Sequence, residues 1–89
     1  MKEIETQVAN RLGLHARAAA RFVKLANRFE SRITVATNAS RVDGKSILGL
    51  LTLAAREGTL LRVSAEGSDA GAALAELDAL VRQRFGEDE

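Results

Sequence analysis

Polar and apolar residues alternate along KEIETQV, with Ile4, Thr6 and Val8 on one face and Glu3, Glu5 and Gln7 on the other. A period of two with one wet face predicts a strand. NRLGL breaks the alternation at Gly13. From Ala16 to about Arg28 the apolar positions Ala19, Phe22, Val23 and Ala26 recur at helical spacing, while Arg17, Arg21, Lys24 and Arg28 occupy the remaining surface. SRITVAT returns to period two, and ASRVD reads as a shorter strand paired to it through a turn at Asn38 and Ala39. Ala39 would be penalised in a left-handed conformation, so a loop longer than two residues is expected there. In GKSILGLLTLAA, Ser46 is a natural N-cap, and Ile47, Leu50, Leu51 and Ala54 keep helical spacing until Gly58 stops the helix. TLLRVSAE alternates again. From Ser68, a second expected N-cap, Leu74, Leu77, Leu80, Ala73 and Val81 form the stripe of a closing helix that ends near Phe85 and Gly86, leaving 85–89 as a frayed tail.

The resulting order is βαββαβα. With short connections and strands wet on one side, it predicts an α+β fold: an open-faced β-sandwich, mostly antiparallel, with the helices stacked on one face. An 89-residue chain with 46% hydrophobic and 28% charged residues fits one soluble domain over 1–89, with room for a shallow surface site but not for a deep, walled cleft. With three Phe and no Tyr or Trp, it lacks the aromatic platforms that stack unpaired bases, and a net charge of +1 gives no global field for nucleic acid or anionic membrane. The absence of cysteine removes disulfides and thiolate metal sites, and a single His makes a zinc site a poor fit. No signal-peptide core or membrane-spanning run is present, so a cytoplasmic location is expected.

That single histidine, His15, lies in GLHARAAA at the predicted start of the first helix. Gly13 lets the backbone turn sharply just before it. Unpaired backbone N–H groups and the positive end of the helix dipole converge at such a terminus and favour an anion. Arg17 adds a fixed charge with forked donors suited to phosphate oxygens, and Ala16, Ala18 and Ala19 leave room for a partner to come close. No Asp or Glu stands beside His15 in sequence as an orienting base partner. These features predict a phosphoryl acceptor rather than a hydrolase.

LGLHARAAARFVKLA and DGKSILGLLTLAA together resemble the two signatures of the HPr family, the histidine-containing phosphocarriers of the bacterial phosphoenolpyruvate-dependent phosphotransferase system. The resemblance runs over essentially the whole chain. It implies a four-stranded antiparallel sheet covered by three helices, and a carrier, not a free-standing enzyme, that needs no cofactor or metal. It implies that His15 takes a phosphoryl group on Nδ1 from phosphorylated enzyme I and passes it to enzyme IIA domains. Arg17 and the amides of Ala16 and Arg17 would hold the phosphoryl oxygens. It further implies regulatory phosphorylation of Ser46 by an HPr kinase/phosphorylase, with a transcriptional regulator as a further partner, and packing of Ile47, Leu48 and Leu51 against partners, an apolar patch that Arg17, Arg21 and Lys24 would rim as a docking surface. The carrier is expected to be a monomer. Ala18 departs from the proline that many members have in the first helical turn. The competing readings are a paralogue of the nitrogen-related branch, a mainly regulatory relative, or a small nucleic-acid-binding or scaffolding module.

Overall fold

A computed structural model describes all residues, 1–89. The elements are β1 (Lys2–Gln7), α1 (Ala16–Ala26), β2 (Arg32–Ala36), β3 (Arg41–Asp43), α2 (Ile47–Thr52), β4 (Leu60–Glu66) and α3 (Ala70–Arg82), followed by a 3-10 turn at Arg84–Gly86. The sheet order is β1-β4-β2-β3, and every neighbouring pair is antiparallel. Ile4 lies opposite Val63 and Thr6 opposite Leu61, while Ile33 and Val35 face Ala65 and Val63 from the other side of β4. One pleat face is therefore apolar from strand to strand, and the three helices cover it. This is the expected open-faced α+β sandwich. None of its helices is long and apolar enough to cross a membrane.

The core is aliphatic around two rings. Phe22 of α1, Leu50 of α2, Leu77 and Val81 of α3, and Phe85 beyond it are all essentially buried against Ile33, Val35, Leu61 and Val63. Arg62, Ser64 and Glu66 alternate with these inward residues and face outward or to the rim, as period two requires.

The structure lengthens the hairpin loop as expected and departs from the sequence reading at three further places, each for a physical reason. The hairpin loop is four residues long, Thr37 to Ser40, and none of its residues takes a positive φ. The Thr37 hydroxyl accepts from the amides of Ala39 and Ser40, so the threonine shapes the turn and Ala39 escapes left-handed strain. Helix α2 stops at Thr52, well before Gly58. Ala54 adopts φ 51°, which turns the chain so that Leu53 and Ala55 bury and the Ala55 carbonyl accepts from Leu14 at 2.9 Å.

The second difference concerns α3, whose N-cap is Asp69 rather than Ser68. The Asp69 side chain makes no capping bond to its own helix. Instead it accepts from the amides of Glu30 and Ser31, at 2.9 and 3.0 Å, and from the Ser31 hydroxyl. The hydroxyl of Ser31, and then the amide of Glu30, hold the Asp69 carboxyl below its ordinary value of 3.8. A carboxylate so depressed adds stability that is complete above the ordinary value and is lost as pH falls through the lower folded value. The acid limb of a urea-midpoint profile below about pH 4 is accordingly expected to flatten in Asp69→Asn and in Ser31→Ala. A profile as steep in both variants as in the wild type would remove this assignment.

The third difference is the tail. Residues 85–89 are folded back and not frayed: Arg84 and Phe85 take φ of 59° and 54°, Phe85 enters the core, and the following residues return toward the start of α1. Arg21 Nη1 donates to the Phe85 carbonyl at 2.5 Å, the Arg11 amide donates to the Glu89 carbonyl, and Arg84 Nη1 donates to the Asp88 carbonyl at 3.1 Å.

Candidate functional site

His15 is the N-cap of α1, in extended backbone conformation, and its carbonyl accepts from the Ala19 amide at 2.8 Å. The segment before it is fixed by short-range and long-range bonds. Gly13 takes φ 70°, its amide donates to the Asn10 carbonyl at 3.2 Å, and its carbonyl accepts both from the His15 amide at 3.0 Å and from Asn10 Nδ2 at 2.7 Å. Leu14 buries, and its amide ties the segment to Ala55 after α2. His15 is thus set by the first helix, by the end of the second and by a fully buried asparagine.

Its two ring nitrogens have different neighbours. Nδ1 lies 3.3 Å from the backbone N of Arg17, which donates to it. Nε2 lies 2.6 Å from Glu87 Oε2, while Asn10 Nδ2 donates to the other oxygen of that carboxylate at 2.9 Å. The Asn10 bond, and then the His15 ring, hold the Glu87 carboxyl below its ordinary value of 4.5, with the Arg21 charge acting in the same sense. An ionised carboxylate only accepts, so the proton of the neutral ring belongs on Nε2. Nδ1 then carries the lone pair, consistent with its accepting the Arg17 amide. The pattern leaves Nδ1 as the ring nitrogen with an unprotonated lone pair.

The start of α1 carries features suited to an anion. Helix geometry leaves the amides of the first turn, beginning with Ala16, without intrahelical acceptors. The Arg17 guanidinium is exposed and forms no ion pair. A cleft beside it has Arg11, Arg17 and Arg21 among its lining residues, together with the tail carboxylates Glu87, Asp88 and Glu89. The Arg11–Glu89 pair, at 3.4 Å with both side chains about 70% exposed, adds little.

The remaining predicted residues fall into two groups. Lys24 is exposed two turns along α1 from Arg17, whereas Arg21 is partly committed to the Phe85 carbonyl. Ser46 is the N-cap of α2, its Oγ accepting from the Gly49 amide at 2.9 Å. Helix α2 packs beside α1 and divides its apolar residues as a small core requires: Leu50 is buried, Leu51 is half-buried, and Ile47 and Leu48 are 40% and 77% exposed. Leu12, 69% exposed on the segment leading to His15, was not singled out by the sequence pattern. Neither were Asn10 and Glu87. Their partners are recruited across the fold, and the only sequence hint was a run of acids at the end of a chain whose one histidine lies near its beginning.

A fold of this order and a histidine presented at a helix N-terminus define a phosphoryl-carrying module rather than a catalyst with an enclosed cleft. Comparison with known proteins identifies which one. The family model described as the PTS HPr component phosphorylation site matches residues 2–83. The chain is 44% identical over 88 residues to the phosphocarrier protein HPr of Xylella fastidiosa, covering 99% of each. It is 40% identical to the phosphocarrier protein NPr of Shewanella violacea, covering 98% of each. The crystal structure of HPr-C-His from Thermoanaerobacter tengcongensis superposes with a TM-score of 0.95 at 40% identity, covering 100% of both chains.

The chain belongs to the HPr family. It is a phosphocarrier of the phosphotransferase system, not an enzyme, and its family membership implies exchange with enzyme I and with enzyme II components.

Proposed function

We propose that His15 is the phosphoryl acceptor and that Nδ1 is the atom that carries the group, received from phosphorylated enzyme I and donated to enzyme IIA domains in the cytoplasm by a monomeric carrier. The observation that carries this reading is the division of labour on the ring, with Nε2 committed to Glu87 and Nδ1 accepting only the Arg17 amide. When a P–N bond uses the Nδ1 lone pair, that amide is released from the ring. It and the Ala16 amide are then in position to donate to phosphoryl oxygens, and the unpaired Arg17 guanidinium adds forked, charged donors.

Incubation with phosphoenolpyruvate and enzyme I is expected to give an acid-labile, base-stable adduct on the wild type and none on His15→Ala. Arg17→Ala should keep the acceptor but slow transfer about a hundredfold, the scale for losing one preorganised donor to developing charge. An equal adduct on His15→Ala would overturn the assignment.

Exposure supports a docking surface on this side of the fold. Ile47, Leu48 and Leu51 supply an apolar centre, and Arg21 and Lys24 a basic rim, suited to partners with acidic margins and hydrophobic centres. Ser46 is proposed as the regulatory phosphorylation site of an HPr kinase/phosphorylase, with consequences for a transcriptional regulator where one is present. A phosphate on that N-cap is tolerated by the helix dipole, so its effect is local repulsion of an acidic partner rather than unfolding. With kinase and ATP, label is expected on the wild type and not on Ser46→Ala, and label persisting in the variant would remove the site.

A further inference from the structure

Glu87 stands 72 residues from His15 in sequence, yet its carboxylate meets Nε2 at 2.6 Å with the two side chains only 16% and 28% exposed. It is held there from both sides. Asn10, fully buried, donates one amide nitrogen to Glu87 Oε1 and to the Gly13 carbonyl, so the same side chain fixes the carboxylate and the turn that presents the histidine. Upstream of Glu87, the chain reversal at Arg84 and Phe85 is locked by the buried ring of Phe85 and by Arg21 on the Phe85 carbonyl.

Resting on the reading of His15 as acceptor, we propose that Glu87 is a positioning residue for phosphoryl transfer: it fixes the Nε2–H tautomer of the resting ring and neutralises the positive charge the ring gains when Nδ1 is phosphorylated. In the transfer step the Nδ1 lone pair forms the bond to phosphorus. The bond from phosphorus to the donor's leaving nitrogen breaks, and that nitrogen keeps the electron pair. No proton need leave the acceptor ring. The proton on Nε2 stays in its hydrogen bond to Glu87, and the ring becomes an N-phosphorylated imidazolium paired with a carboxylate. A phosphoryl group on a cationic ring is a better leaving group than one on a neutral ring, because the departing imidazole is then neutral rather than anionic. Glu87 therefore keeps the carried group in its transferable form. The other charges facing this site are the guanidinium groups of Arg11, Arg17 and Arg21 and the carboxylates of Asp88 and Glu89. The three arginines favour the phosphate oxygens, which leaves Glu87 as the one anion in hydrogen-bond contact with the ring.

The test uses the full chain as Glu87→Gln, which keeps the shape and an acceptor but removes the charge, Glu87→Ala, which removes both, and Asp88→Asn as a charge control. In the unphosphorylated protein at pH 8.5 the wild type is expected to show a slowly exchanging, downfield Nε2 proton with 15N shifts of a single tautomer. Glu87→Ala is expected to lose that proton signal. After phosphorylation with phosphoenolpyruvate and enzyme I, the pH midpoint of the histidine 31P resonance should fall by about one unit in both Glu87 variants and stay in place in Asp88→Asn, the scale of a single opposite charge at contact distance. Core amide resonances report folding in the same samples.

A 31P midpoint that stays put in both Glu87 variants, or an Nε2 proton that survives Glu87→Ala, overturns the role of Glu87 while leaving His15 as acceptor. Failure of the wild type to take any phosphoryl group overturns both readings.

Discussion

Replacing Phe85 by Ala is expected to lower the unfolding free energy by about 3–5 kcal/mol, the range for truncating a fully buried phenylalanine. Phe85 has no solvent exposure and lies among the core residues shared by α1, α3 and the sheet. Its backbone is left-handed, at φ 54°, in the wild type; alanine also carries a Cβ, so the substitution gains no relief of strain to offset the cavity. A second consequence is specific to this fold. Phe85 is the anchor from which the chain returns to His15, and its loss should release Glu87 from the ring along with the core. Guanidinium or urea titration measures the first effect, and the Nε2 proton of His15 reports the second. A loss of stability under about 1 kcal/mol would mean that Phe85 does not fill the core as described.

Gly13→Ala is expected to cost about 3 kcal/mol or more and to slow phosphorylation in proportion to the displacement of His15. Two penalties add. At φ 70° an L-residue pays about 1–2 kcal/mol for the left-handed conformation. The new Cβ would also stand 2.5 Å from the Ala55 carbonyl oxygen and 3.0 Å from the Arg56 Cα, both backbone atoms that cannot rotate away. Moving them stretches or breaks the Leu14–Ala55 bond that seats the segment before His15, with a cost of about 1–3 kcal/mol for overpacking. Gly58→Ala is the informative contrast: its φ of 89° carries a similar backbone penalty, but a Cβ there meets nothing within 4 Å, and its backbone bonds run to Gln7 and Val8 rather than to the segment before the histidine. The two variants should therefore differ in stability, and only Gly13→Ala should lose phosphoryl transfer. Equal behaviour would mean that close approach at Gly13 does not matter.

What the sequence disclosed and what it withheld divide along the range of the interactions involved. Strand faces such as Leu61, Val63 and Ala65, and the buried stripe of α1, were readable because period two and period 3.6 are local properties. So was the placement of His15 at a helix start, since Gly13 and the alanine-rich run lie beside it. The end of α2 was not readable. Nothing in LLTLAA marks Ala54 as the turning point, because the turn is imposed by burial of Ala55 and by its bond to Leu14, some forty residues earlier. The role of Asp69 was not readable for the same reason: its partners, Glu30 and Ser31, belong to the connection between α1 and β2 and not to α3. The tail is the most consequential case. Three acids at a chain end read as solvated charge, and only the reversal at Arg84 and Phe85 brings one of them onto the histidine.

Phosphoryl carriage by this protein turns on which atom of which residue holds the group. With 15N-labelled protein phosphorylated by phosphoenolpyruvate and enzyme I, the 31P–15N coupling identifies the bonded nitrogen without substitution of any residue. The geometry predicts a single phosphorylated species, bonded at Nδ1 of His15, with the proton retained on Nε2. A coupling to Nε2, or a phosphoryl group on any other side chain, would contradict it.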